Sequence, residues 1–104
     1  MNVSQTSAAN SVNTITLAAV GATRHRVLRV DAWTSAGSAQ LTISDGATVI
    51  WKSPAGYVTT SLTSLAPLFP FGPGTAGGAM TIEVSAAGGG NTSTLNVQHE
   101  PLVI

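Results

Sequence analysis

The 104-residue sequence contains no cysteine. This absence excludes disulfide scaffolds, thiolate zinc sites and thiol nucleophiles together. Also missing is any apolar stretch near the roughly 20 residues that a membrane-spanning helix needs. The first dozen residues are polar and lack the basic start and apolar run of an export signal. We therefore expect a protein that is made in the cytoplasm and does not enter a membrane.

Charged side chains are also scarce. They make up 8% of the residues, and the four basic and four acidic side chains cancel, whereas soluble domains usually carry about 25% charged residues. Because phosphate recognition depends on clustered Lys and Arg, this composition argues against a nucleic-acid partner. A neutral chain also lacks the self-repulsion that keeps small domains apart. We expect assembly to cover part of the surface; the alternative is that abundant Ser and Thr solvate it adequately.

What the chain does contain is a series of short alternating segments bounded by Gly, Pro, Asn or Asp. No window supports an amphipathic helix longer than about two turns. Seven to eight short strands in one domain predict an all-β fold, an antiparallel two-sheet sandwich of jelly-roll-like type. An immunoglobulin-like strand order has the same spacing and stays open. The alternation places these side chains in the core: Ile15, Leu17, Leu28, Val30, Leu41, Ile43, Met80, Ile82, Val84, Leu95 and Val97.

Two segments carry finer predictions. In the strand that begins at Arg26, the alternation turns Leu28 and Val30 inward and Val27 outward. Asp45 and Gly46 form the strongest hairpin signal in the chain, and we expect them to occupy the centre of a type I′ turn.

The two ends differ from this core. Residues 1–12 are predicted to be a flexible N-terminal arm, and residues 13–104 a single β-sandwich domain with an apolar C-terminal tail. The proline-rich segment 67–73 cannot form a helix, so we expect an extended or edge segment there. Exposed apolar side chains at such places usually dock on a neighbour. The candidate subunit or capsid contacts are Val3, Phe69, Phe71, Leu102, Val103 and Ile104.

The residues offer little for catalysis or for metal binding. His25 and His99 are the only imidazoles, and the carboxylates are scattered without ligand spacing. No serine lies in a nucleophile-elbow pattern. The run Gly88–Gly90 lacks the Lys-Ser or Lys-Thr and the helix of a phosphate loop, so a hairpin turn is the simpler interpretation. We expect no enzyme activity, no metal and no cofactor.

Aromatic residues, only 5% of the chain, support one alternative. Trp33, Trp51 and Tyr57 could form a stacking platform for a sugar, although buried tryptophan is also common in small sandwiches. Among the basic residues, Arg26 and Arg29 are predicted to lie on opposite faces of their strand, so no basic stripe forms. A salt bridge to a neighbouring acid is the plainer role for Arg29.

Taken together, the strand motifs resemble a family of viral proteins. The motifs, between residues 13 and 99, are Thr-Ile-Thr-Leu, Arg-His-Arg-Val-Leu with Ala-Trp, Leu-Thr-Ile-Ser-Asp-Gly with Val-Ile-Trp, Pro-Phe-Gly-Pro, Met-Thr-Ile-Glu-Val and Leu-Asn-Val. They resemble small β-sandwich structural proteins of tailed bacteriophages, of the capsid decoration or cement type.

The resemblance implies a virion structural protein on the capsid surface. Such proteins commonly form homotrimers that clamp neighbouring capsid subunits, often through a terminal arm, and they have no catalytic residues to transfer. The implied partners are further copies of the chain and the major capsid protein or another virion protein. The alternative is a carbohydrate-binding or host-recognition module of a tail or spike.

Overall fold

In a computed structural model, the described residues are 2–21, 23–66, 74–75 and 77–103, without the side chains of 102 and 103. Within these ranges the chain is all β, and no helix is present that could cross a membrane. The strands are β1 (Asn2–Thr6), β2 (Asn13–Leu17), β3 (Thr23–Thr34), β4 (Leu41–Asp45), β5 (Thr48–Lys52), β6 (Thr63–Leu65), β7 (Met80–Val84) and β8 (Ser93–Val103).

The strands form two antiparallel sheets of four. Sheet A has the order β1-β8-β3-β6, and sheet B has the order β2-β7-β4-β5. Partners pair from the ends of the chain inward: β1 with β8, β2 with β7, β3 with β6, and β4 with β5. The chain is thus one long hairpin, wound so that β3 also pairs with β8 and β4 with β7. This is the jelly-roll order, so the predicted sandwich is confirmed and the immunoglobulin-like order is excluded.

The core lies between the inner faces of the two sheets. In sheet B the register aligns Ile15, Ile82 and Ile43 in one row across three strands, and all three are buried. Fully burying such a side chain stabilises the fold by about 1.5–3 kcal/mol. Every predicted core residue except Leu28 is buried, and the structure adds Val27, Ala32, Ala39 and Val58.

A β-bulge at Leu28 explains the one misplaced core residue. Val27 lies opposite His99 and Arg29 opposite Gln98, which leaves Leu28 as the extra residue. An extra residue reverses the inward and outward phase of a strand. Val27 is therefore fully buried and Leu28 only half-buried, so the sequence-based orientation of this pair was wrong.

The same bulge corrects the prediction for the arginines. Arg26 and Arg29 both lie on the outer face of sheet A. Simple alternation would place residues three apart on opposite faces, but the bulge at Leu28 adds one residue between them and returns Arg29 to the face of Arg26. No basic stripe results, since Arg26 pairs with Glu100 and the Arg29 Nε donates to Asp31 Oδ1 at 3.0 Å. The expected salt bridge of Arg29 is confirmed.

The N-terminal residues differ from the predicted flexible arm. Residues 2–6 form the edge strand β1, which pairs with β8 from Asn2 opposite Gln98 to Thr6 opposite Thr94. Further along, the backbone amide of Asn10 donates to the carbonyl oxygen of Asn91 at 2.8 Å. All five β1 residues are exposed, so the strand carries no buried apolar alternation by which the sequence could reveal it.

The β4–β5 hairpin turns one residue later than predicted. Asp45 and Thr48 are the last paired residues of the two strands, so Gly46 and Ala47 occupy the centre of the turn. Only Gly46 has a positive φ, at 59°. A type I′ turn needs positive φ at both central residues, whereas type II′ needs it at the first, where glycine is preferred. The φ pattern is therefore that of a type II′ turn.

Candidate functional site

The three aromatic residues proposed as a sugar platform are divided between two places. Trp51 on β5 and Tyr57 contact each other edge to face, with ring centroids 5.6 Å apart, and both pack against the core. Trp33 lies on the outer face of sheet A and forms a shallow hollow with Thr60 and Leu62. The two places are separate because Trp33 lies on β3 in sheet A, whereas Trp51 lies on β5 in sheet B.

The predicted contact residues are only partly described. Val3 lies on the edge strand β1 and is exposed. Leu102 and Val103 belong to β8, where their backbones pair with Arg24 and Thr23. Phe69, Phe71 and Ile104 lie outside the described residues.

Exposed apolar side chains that the sequence analysis did not select lie on β5, an edge strand of sheet B. Ile43 is opposite Trp51 and Ser44 is opposite Val49, so Ile50 is the extra residue of a second bulge. The bulge turns Val49 to the outer face beside Ser44. As a result Val49 and Ile50 are 53% and 40% exposed. The bulge also disrupts the hydrogen-bonding edge, which disfavours simple edge-to-edge strand addition.

A cavity of about 470 Å³ lies between the sheets, at the end of the sandwich formed by β1, β2, β3 and β8; we call it the end cavity. Leu17, His25 and His99 are almost completely buried there. Val3, Val20 and Pro101 also line it and are more exposed. Among the described residues, the lining is therefore apolar apart from two imidazoles and the hydroxyls of Thr16 and Thr23.

The two histidines of the chain meet at this cavity. Their ring centroids are 6.3 Å apart and the ring planes are inclined by 70°. His25 Nε2 donates to the carbonyl oxygen of Ala18 at 2.7 Å, which fixes the ring against the β2–β3 connection. The sequence did contain a signal for His99, since it continues the inward alternation of Leu95 and Val97. The meeting of the two rings depends on the β3–β8 register.

Burial lowers the pKa of His99 below 6.5, and the positive charges of the N-terminal amino group and His25 lower it further. A buried imidazole loses the hydration that would stabilise its charged form. His99 is therefore held in the neutral state over most of the physiological pH range.

The described part of the chain does not gather the ligands of a metal site. No group of three or more His, Asp or Glu side chains lies together in it. Asp45 is used instead as a hydrogen-bond acceptor: its carboxylate accepts from the backbone amide of Thr75 at 3.1 Å and from the Thr75 hydroxyl at 2.8 Å. This contact connects the β4–β5 hairpin to the segment that precedes β7.

Comparisons with known proteins add no relative to these observations. No protein-family model matches the chain, and neither the curated proteins nor the solved structures contain a match. The fold and the site geometry define the class: a jelly-roll β-sandwich with exposed apolar edges and a small apolar cavity.

Proposed function

We propose that this protein is a structural protein of a tailed-bacteriophage virion, a capsid decoration or cement protein that stabilises the head by bridging capsid subunits. It is made in the host cytoplasm and acts on the capsid surface as a homo-oligomer, with a trimer favoured. It works without catalysis, cofactor, nucleic acid or membrane. Its partners are copies of itself and the major capsid protein or another virion protein.

The observation that carries the proposal is the distribution of exposed apolar side chains. Edge strands β1 and β2 contact each other, so β5 and β6 form the opposite side of the sandwich. Val3, Val12 and Val20 lie exposed on or beside β1 and β2; Val49, Ile50 and Leu62 lie exposed on or beside β5 and β6. Two separate apolar sides are what a bridging protein requires, since it must bury surface against two neighbours.

The charge distribution supports the same role. Of the eight charged residues, Arg26 and Glu100 neutralise each other, as do Arg29 and Asp31. The surface charge therefore causes little electrostatic repulsion between identical copies of the chain. Weak contacts on two sides also gain strength when several copies engage a repeating lattice at once.

The test is addition of purified protein to undecorated phage heads, combined with measurement of its absolute mass in solution by light scattering. The wild-type protein is expected to be an oligomer and to bind the heads with saturation. The double variant Val49→Lys/Ile50→Lys places two charges on the β5 side and should weaken assembly or head binding by about tenfold or more.

Ala36→Lys is the control for added surface charge, because Ala36 is exposed in the loop between β3 and β4 and is not one of the apolar residues of either side. It should bind like the wild type. A protein that stays monomeric at high concentration and has no affinity for the heads would contradict the proposal.

A second candidate function follows from the hollow at Trp33. An indole ring that is 37% exposed beside Leu62 offers a face on which a sugar ring could stack, as a host-recognition module of a tail or spike would require. Trp33→Ala should then abolish binding in a glycan screen. Substitution of Trp51, which packs against the core, should instead reduce stability.

A further inference from the structure

We propose that the end cavity is a binding site for a small, uncharged, predominantly apolar molecule. The inference concerns a recess of a single chain, and it does not require the proposed function, although Val3 and Val20 at its rim also belong to the β1–β2 apolar side described above. It rests on the size of the cavity, the chemistry of its lining and its position between the sheets.

The size suits a small molecule. A cavity of about 150 Å³ in another protein is known to hold benzene, and the end cavity has about three times that volume, 470 Å³. It also falls within the roughly 300–1,000 Å³ of typical small-molecule sites. A ligand of two or three fused or linked rings, or a branched hydrocarbon of similar volume, would fill it.

The lining selects against a charged ligand. Its aliphatic part consists mainly of Val3, Leu17 and Val20, which cannot replace the hydration of an ion. The nearest acid along β8, Glu100, is already paired with Arg26. The two imidazoles are almost completely buried, with exposed fractions of 6% for His25 and 7% for His99, so they offer a ligand little polar surface. The transfer of an apolar molecule from water into the cavity is therefore expected to supply the favourable free energy of binding.

The position of the cavity favours a small molecule over a docked protein surface. Its floor is the end of the core, where Leu17 and the two histidines are buried between the inner faces of the sheets. Val3 and Val20, more exposed, form the rim. A flat protein surface could cover the rim but would leave the recess empty, whereas a small molecule reaches the floor.

Occupation of the cavity should also be sensitive to pH. His99 faces His25 on β3 in ring contact and lies next to the Arg26–Glu100 pair on β3 and β8. The N-terminal amino group adds a positive charge, and neither β1 nor β2 contains a titratable side chain. An apolar ligand further dehydrates the imidazole and so favours its neutral form. The pKa of His99 in the folded protein lies below 6.5, so the affinity should fall as the pH decreases below 6.5 through that lowered pKa.

The first test is a titration with the neutral fluorescent probe N-phenyl-1-naphthylamine at pH 8 and pH 5.5. We expect saturable fluorescence enhancement at pH 8 and weaker binding at pH 5.5. Proton NMR spectra recorded during the titration should show the ring signals of both histidines moving and the Trp33 indole signal unchanged. Movement of the Trp33 signal with the histidine signals unmoved would overturn the proposal, as would the absence of saturable binding.

The second test places a larger side chain at the rim of the cavity, where it should occupy the space of the ligand. Ala18 is exposed and lines the cavity, whereas its neighbour Ala19 is also exposed and is not among the lining residues. Ala18→Phe should weaken probe binding by about tenfold or more, and Ala19→Phe should leave it unchanged. Equal effects of the two variants would contradict the assigned site. If Ala18→Phe fails to fold, the histidine signals of the wild-type titration decide the question alone.

Discussion

Gln5 and Asn13 exchange hydrogen bonds across the edges of the two sheets. Gln5 Nε2 donates to Asn13 Oδ1 at 2.8 Å, and Asn13 Nδ2 donates to the backbone carbonyl oxygen of Gln5 at 2.9 Å. Asn13 Nδ2 also donates to the carbonyl oxygen of Ser93 at 3.1 Å. One fully buried amide on β2 thus connects β2 to both β1 and β8 and holds the N-terminal strand against the sandwich.

Replacement of Asn13 by Ala should therefore destabilise the fold strongly. The change leaves two backbone carbonyl oxygens without this donor and opens a space between the sheets, at an expected cost of about 2–4 kcal/mol in the free energy of unfolding. Gln5→Ala, at an exposed position, should cost about 1 kcal/mol or less. Urea unfolding measures both. Equal costs would show that the buried amide has no special role.

The free energy of unfolding should depend on pH through His99. Because the folded-state pKa of His99 lies below 6.5, the unfolded chain takes up the proton first as the pH decreases. Stability should thus be constant near pH 8 and decline through pH 6.5 until the folded-state pKa is passed, with a slope of at most about 1.4 kcal/mol per pH unit. His99→Gln should flatten this dependence between pH 8 and 6 in urea titrations. An unchanged slope would assign the effect to another group.

The bulge in β3 predicts unequal losses of stability for substitutions at two adjacent residues. Val27→Ala removes a fully buried side chain and should cost about 1.5–3 kcal/mol. Leu28→Ala removes a larger side chain that is only half-buried and should cost less. Thermal or urea unfolding of the two variants compares them directly. The reverse order would mean that the strand keeps its simple alternation and contains no bulge at Leu28.

The β4–β5 turn should depend on the glycine at position 46. A Cβ there would meet no other atom within 4 Å, so the cost of Gly46→Ala comes only from its positive φ of 59° and should be about 1–2 kcal/mol. Gly90→Ala is the control, because Gly90 also has open space but no positive φ. That control should be neutral or slightly stabilising. Similar losses in both variants would contradict the assigned turn.

The sequence by itself determined the fold class and most of the core. Strict alternation in segments such as Met80–Val84 requires one apolar face, and a chain of this length can bury several such faces only by packing two sheets together. The sequence also indicated Trp51 and Tyr57 as aromatic side chains that could stack on a sugar. Only the structure shows that both pack against the core.

Tertiary structure decided what depends on pairing between distant segments. The strand β1 exists because β8 offers it a hydrogen-bonding edge, although none of its side chains is buried. The bulge at Leu28 is a mismatch in length between β3 and β8, and a mismatch cannot be read from either strand alone. His25 and His99 are more than seventy residues apart in the sequence. They line one cavity only because β3 and β8, which are far apart along the chain, become neighbours in the same sheet.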